Sequence, residues 1–110
     1  MVFSSIYPHY LNRIVRNGRT QEELNQVMKW FTGYDSEKLQ EFIDGKKTFG
    51  DFFEEATIHE NAHMIKGVVC GYRIETIADE FELYKQCRQM EKLIDELAKG
   101  RKMEKILRTV

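Results

Sequence analysis

One five-residue string in this chain has the residue types and spacing for catalysis: His59-Glu60-Asn61-Ala62-His63. Two histidines four positions apart point the same way on an α-helix and can share a zinc ion, and the glutamate beside the first can act as general base on the zinc-bound water. This is the motif of zinc-dependent peptidases. In that interpretation zinc is the cofactor, Glu60 is the catalytic residue, and Glu75 or Glu80 supplies the third ligand beside the two histidines.

Two observations count against the zinc interpretation. Glu75 follows His63 by twelve positions, so on a continuous helix it would lie ~18 Å further along the axis, and only a sharp turn could bring it back. The upstream strands that hold an extended substrate in such peptidases are not visible. The alternative is that His59 and His63 are partly exposed residues at the entrance of a helix, and we favour this non-catalytic interpretation.

A second candidate site lies just downstream, between Gly67 and Glu75. A thiol flanked by glycines and followed by an arginine could have a lowered pKa, although a buried structural cysteine satisfies the same pattern. Arginine and glutamate two positions apart could form a structural ion pair or line a small pocket for an anionic or polar ligand. The predicted binding residues of this site are Cys70, Tyr72, Arg73 and Glu75.

The elements that must position these residues are helices, because helix start and stop signals recur along the chain with almost no strand-like alternation. Thr20 and Glu23 form a capping box that begins a helix ending at Gly33. Three other helices are predicted. The first begins after Ser4 or Ser5 with Ile6, Tyr10 and Ile14 facing inward, the next runs from about Ser36 to Asp44, and the last begins at Thr48. Between His59 and Glu75 the pattern fits either a helix or a short buried strand.

A long C-terminal helix is predicted from about Ile77 to Lys99. Its apolar residues recur at alternating steps of four and three, which is the spacing of a seam for another helix. That seam predicts either a homodimer or an intramolecular helix partner. It consists of Leu83, Cys87, Met90, Ile94 and Leu97.

Composition and charge limit the class of protein. A chain of 110 residues with 42% hydrophobic residues is large enough to fold as one domain, residues 1–110, without disulfides or a structural metal. Two cysteines without a spaced framework, and no long apolar run, predict a cytoplasmic protein without membrane association. A net charge of -1 disfavours a dedicated nucleic-acid binder. The charge is uneven, with +3 in residues 1–20, -6 in 21–60, -2 in 61–98 and +4 in 99–110.

Several blocks of this sequence resemble one small bacterial family, catalogued as a domain of unknown function, number two thousand two hundred. The blocks are Ser5-Ile6-Tyr7-Pro8-His9-Tyr10, Gly18-Arg19-Thr20, Trp30-Phe31-Thr32-Gly33-Tyr34, Gly67-Val68-Val69-Cys70-Gly71-Tyr72-Arg73-Ile74-Glu75, and the segment from Leu93 to Arg108. The resemblance spans essentially the whole chain and implies a small, mostly helical bacterial protein. It implies no activity.

The sequence therefore predicts an all-α, compact single-domain bundle of five or six helices with a long C-terminal helix. The favoured function is that of a non-catalytic interaction or accessory module in the cytoplasm, with an unknown protein partner. The zinc-dependent peptidase is the first alternative. A nucleic-acid-binding helical protein is the second, suggested by His9, Arg13 and Arg16 on one face of the first helix, although we favour a solvated helix face as the explanation of these residues.

Overall fold

The computed structural model describes residues 2–69 and 71–108, with the side chains of Tyr72 and Asp79 left aside. Within these residues the chain forms six α-helices and one small hairpin. The helices are α1 (Phe3–Arg16), α2 (Gln21–Thr32), α3 (Ser36–Asp44), α4 (Phe49–Glu54), α5 (Glu82–Ala98) and α6 (Met103–Ile106). The hairpin pairs β1 (Val68–Val69) with β2 (Tyr72–Arg73) in antiparallel register. The all-α prediction is confirmed.

The local signals in the sequence explain most helix boundaries. Thr20 and Glu23 form the predicted capping box, in which each side chain accepts a hydrogen bond from the other residue's backbone amide. Thr48 and Asp51 repeat that arrangement at α4. Gly33 follows α2 with a φ of 75°, a conformation that residues with a Cβ rarely adopt.

The core forms where α5 packs against α1, α2 and α4. A cluster of aromatic rings fills the space between α1, α3 and α4, with Phe3 stacked on Phe52 at 4.2 Å between ring centroids. The inward face of α1 differs from the prediction. The helix begins at Phe3 and buries Phe3, Tyr7 and Ile14, whereas Ile6 and Tyr10 are only half-buried, because the early start adds Phe3 to the apolar face and Tyr7 lies one turn after it.

The start of the long helix also differs from the prediction. It begins at Glu82 rather than Ile77, because Ile77 and Ala78 are extended and a short 3-10 turn, Asp79–Phe81, precedes the helix. The segment between α4 and β1 is mostly irregular and contains the 3-10 turn Glu60–Met64. No helix in the described part of the chain is both long enough and apolar enough to cross a membrane.

Candidate functional site

The His59–His63 string lies on the 3-10 turn and not on an α-helix. Its start is docked on the end of α2, where the amides of Thr57 and His59 donate to the carbonyls of Thr32 and Phe31 at 2.9 and 3.0 Å. On an α-helix residues four apart diverge by only about 40°, but here His59 is the N-cap of the turn with a non-helical ψ of 139°, whereas His63 lies within the turn. The two imidazoles therefore do not share the one-sided placement on which the zinc motif depends.

The hydrogen bond at His59 decides which of its ring nitrogens can act as a ligand. Its Nδ1 accepts from the amide of Asn61 at 3.0 Å. In a neutral imidazole an accepting Nδ1 leaves the proton on Nε2, which then has no lone pair for a metal. The ring also stacks on Trp30, with 4.3 Å between the centroids. His59 therefore acts as the cap of the 3-10 turn.

His63 has the opposite arrangement. Its Nδ1 lies 2.9 Å from the carbonyl oxygen of Glu60, which can only accept, so Nδ1 carries the proton and the lone pair is on Nε2. The side chain is exposed and lines a cavity that Glu75 also lines. Within residues 2–69 and 71–108, no group of three or more His, Cys, Asp or Glu side chains could hold a metal ion. The structure thus brings His63 and Glu75 of the zinc hypothesis to one cavity. The Glu60 side chain is exposed and does not line that cavity.

Arg73 and Glu75 form the ion pair predicted as one alternative, at 3.2 Å between Nη1 and Oε1. The other carboxylate oxygen of Glu75 accepts from the amide of Gly67 at 2.9 Å. That backbone hydrogen bond, with the Arg73 guanidinium, holds the pKa of the Glu75 carboxyl below its ordinary value. The pair closes the base of the hairpin. Of the other two predicted binding residues, Cys70 and the side chain of Tyr72 lie outside the described part of the chain.

The main concave feature of the described surface is a groove along the first half of α5, which we call the α5 groove. It consists of two adjoining cavities of about 500 and 580 Å³ that share Ile58, Glu82 and Gln86. The first is bounded by the 3-10 turn and by residues on either side of the hairpin, and the second by α4. Other lining residues include Phe53, Glu54, Ala56, His63, Lys66, Glu75 and Leu83.

The predicted helix seam is divided by this groove. Met90, Ile94 and Leu97 are fully buried in the chain's own core, and Cys87 is partly buried against it. Leu83 is 50% exposed. The intramolecular alternative therefore accounts for the C-terminal part of the seam, and a homodimer through all five residues would require the core to open. Leu83 is the member that remains accessible to a partner.

The α5 groove was not predicted from the sequence. Ile58 lies in an irregular segment, Glu54 ends a short helix, and Glu82 was expected inside a longer one. These residues are far apart in the chain, and no spacing rule connects them. The one available signal was Leu83, which follows three acidic or aromatic residues and begins the apolar seam.

The fold and the groove place the chain among small all-α globular proteins. Residues 1–108 match the family described as uncharacterised protein conserved in bacteria, DUF2200, and the chain belongs to that family. The resemblance drawn from the sequence blocks is thereby confirmed. The chain is also similar to a solved structure, the crystal structure of uncharacterized protein SP1917, at 35% sequence identity and a TM-score of 0.89, covering 97% of this chain and 87% of that chain. None of the curated proteins compared with the chain matches it.

Proposed function

We propose that this protein is a non-catalytic, cytoplasmic interaction module that binds a segment of a partner polypeptide in the α5 groove. The observation that carries the proposal is the exposure of apolar side chains where α5 leaves the core. From Gln89 to Ala98 most of the helix is buried, whereas Leu83 is 50% exposed and Phe81, just before the helix, is 57% exposed. Full burial of a leucine or phenylalanine contributes about 1.5–3 kcal/mol, and covering the exposed half of each side chain about half of that, so this end of the helix favours a partner.

The floor of the groove suits an apolar anchor from that partner. In the part bounded by α4, the lining includes Phe53, Ala56, Ile58 and Leu83. Apolar surface in a concave site, with polar groups at its rim, is the usual form of a peptide-binding groove. The anchor is therefore an aliphatic or aromatic side chain of the partner segment.

The charge of the same cavity indicates which residues of the partner segment should lie beside its apolar anchor. Its two charged lining residues are both carboxylates, Glu54 and Glu82. Glu82 accepts a hydrogen bond from Gln86 at 3.3 Å, and neither carboxylate takes part in an ion pair among the described residues. Complementary charge selects partners and orients them. The partner segment accordingly carries a lysine or arginine within a turn of its apolar anchor.

The experiment is site-specific photocrosslinking in bacterial cells, with the crosslinking amino acid at Leu83 or, as a matched control, at Val15. Both positions are about half exposed, at 50% and 52%, but Val15 lies on α1. We expect one discrete protein adduct from position 83 and none of that mass from position 15. Mass spectrometry then identifies the crosslinked segment, which is synthesised as a peptide for calorimetric titration.

Support requires that the peptide has a basic residue beside its apolar anchor. It also requires that Leu83→Asp and the pair Glu54→Gln, Glu82→Gln each weaken binding at least about tenfold, with Val15→Asp unchanged. Equal adducts at both positions, or a peptide indifferent to these variants, would overturn the proposal. An adduct to a second copy of this chain, together with a dimer in light scattering that Leu83→Asp dissociates, would also overturn it and assign the groove to the homodimer.

A further inference from the structure

The basic segments at the two ends of the sequence meet at one end of the folded molecule. The carbonyls of Leu97 and Arg101 accept from the guanidinium of Arg19 at 3.3 and 2.7 Å, and Arg13 pairs with Asp95. These contacts join the end of α1 to the end of α5. We call the resulting surface the basic pole; its cations are Arg13, Arg16, Arg19, Lys99, Arg101, Lys102 and Arg108.

The carboxylates at the basic pole lie beneath the cations. Asp95 pairs with both Arg13 and Lys99, and its side chain is 11% exposed. Glu96 pairs with both Arg101 and Arg108, and its side chain is 6% exposed. Each buried carboxylate is thus shared by two cations. The side chains of Arg13, Lys99 and Arg101 are 44%, 72% and 49% exposed, whereas Arg108 is itself nearly buried.

The net charge of the basic pole follows from these pairs. With Glu23 on Arg19, seven cations face three carboxylates, which leaves +4 on a chain whose net charge is -1. Arg16 and Lys102 are exposed and form no ion pair among the described residues. Clustered charge of one sign raises the local concentration of counter-ions and attracts a partner of the opposite sign.

The two charged regions are well separated. Asp95 follows Glu82 by thirteen positions on α5, which is ~20 Å along the helix axis. The distance exceeds the Debye length of about 8 Å at physiological ionic strength. The carboxylates of the α5 groove therefore do not neutralise the basic pole, and net charge is a poor guide to what this end of the molecule binds.

We propose that the basic pole binds the phosphodiester backbone of a duplex nucleic acid without sequence preference. Single strands are commonly held by exposed aromatic rings that stack on bases. The large exposed side chains of the described surface include two aromatics, Phe81 and Tyr84, and both lie at the other end of α5. The guanidinium and ammonium groups of the basic pole can contact only the phosphate backbone of the nucleic acid, and such contacts carry no sequence information.

The test is fluorescence anisotropy of labelled duplexes of about 20 base pairs, one of RNA and one of DNA, beside the corresponding single strands. If about four phosphates are neutralised, the logarithm of the binding constant falls with that of salt concentration at a slope of about -3.6, a loss of about tenfold between about 50 and 100 mM salt. Arg16→Ala with Lys102→Ala should weaken binding at the lower salt concentration by more than tenfold and reduce the slope by about 2.

The control is Lys46→Ala with Lys47→Ala, which removes the same charge from exposed positions outside both the basic pole and the α5 groove. We expect this pair to change the dissociation constant by less than about threefold, because distant charges are screened. Absence of duplex binding at low salt, equal weakening by the two variant pairs, or tighter binding of single strands than of either duplex would each overturn the proposal. A preference between the RNA and DNA duplexes identifies which backbone geometry fits.

Discussion

The imidazole of His59 stacks on the indole of Trp30, with ring centroids 4.3 Å apart and planes inclined by 20°. The same imidazole caps the 3-10 turn through the Asn61 amide. Both roles require the ring to stay against the end of α2. His59 is therefore a structural residue, although its sequence context is that of a zinc ligand.

His59→Ala should lower the free energy of unfolding by about 1–2 kcal/mol, because it removes both a side-chain cap and an aromatic contact. His63→Ala should change it by less than about 0.5 kcal/mol, since that side chain is exposed. Urea unfolding followed by the fluorescence of Trp30, the one tryptophan of the chain, measures both. Equal effects of the two variants would contradict the structural role.

Zinc binding separates the structural interpretation from the peptidase hypothesis directly. We expect purified protein incubated with excess zinc and then desalted to retain far less than one equivalent by elemental mass spectrometry, because only His63 of the two histidines presents an unprotonated Nε2. The control is the double variant His59→Ala, His63→Ala. Stoichiometric zinc that this variant loses would restore the peptidase hypothesis, with Glu60→Gln as the next test of peptide cleavage.

The two arginines on Glu96 should contribute unequally to stability. Oε2 of Glu96 accepts from Arg108 at 2.8 Å and from Arg101 at 3.1 Å, whereas Oε1 is buried without a partner in the described part of the chain. The side chain of Arg108 is 12% exposed and that of Arg101 is 49% exposed. Arg108→Ala should cost about 2 kcal/mol by leaving a buried carboxylate poorly compensated, and Arg101→Ala less than about 1 kcal/mol. Chemical denaturation of both variants tests this order, and the reverse order would refute it.

Asp95 should make stability depend on pH in the acid range. Burial raises the pKa of its carboxyl, but Lys99 and Arg13 outweigh burial and hold the pKa below the ordinary value of 3.8. A carboxyl with a depressed pKa in the folded state stabilises the protein fully above its unfolded value, and this contribution is lost as pH falls through the folded pKa.

The corresponding experiment compares wild type with Asp95→Asn. The variant should be less stable by about 1 kcal/mol at neutral pH, a modest figure because both cations are largely solvated, and the difference should shrink below about pH 4. Urea titrations at a series of pH values measure it. A difference that stays constant down to pH 3, about one unit below the ordinary carboxyl range, would contradict the assignment.

Gly33 and Gly18 form a matched pair for testing how the segment before the 3-10 turn is held. Both have positive φ, 75° and 85°, but a Cβ at Gly33 would lie 2.9 Å from the carbonyl oxygen of Thr57, whereas at Gly18 nothing lies within 4 Å. Gly18→Ala should cost about 1 kcal/mol for the backbone conformation alone. Gly33→Ala should cost about 2–3 kcal/mol and should also speed hydrogen exchange of the Thr57 and His59 amides. Equal costs would contradict close packing at Gly33.

Much of the fold follows from local signals. The capping box of Thr20 and Glu23 and the cap at Thr48 are formed by neighbours in the chain, so their residue types alone predict α2 and α4. The predicted start of α5 was five residues too early, because the apolar periodicity continues through Ile77 although the backbone there is extended. Periodicity reports which residues are apolar at helical spacing, and it does not report where a helix begins.

The candidate site, like the fold, has features that local signals predict and features that only long-range packing sets. The residue types of the His59–His63 string suggested a shared zinc site only as an alternative to the favoured non-catalytic interpretation, and the proton positions and ring directions that bear on it depend on a 3-10 turn docked on α2. Glu54, Ile58 and Glu82 form one groove only because α4 and the 3-10 turn pack beside α5. Those contacts join residues that no local rule relates, so they were not predictable from spacing.

By itself the sequence determined the helical class, most helix ends, the family and the uneven distribution of charge, because caps, glycines and apolar spacing act through neighbouring residues. Only the tertiary structure decided which histidine nitrogen is available, which part of the α5 seam is buried, and that the two basic ends of the chain meet over Asp95 and Glu96. The burial of the seam and the meeting of the basic ends arise from contacts between residues distant in sequence, and the histidine nitrogens are set by short-range hydrogen bonds in a 3-10 turn whose start is docked on α2. The contacts between distant residues are set by the packing of whole helices, which depends on the summed burial of many side chains rather than on any short pattern.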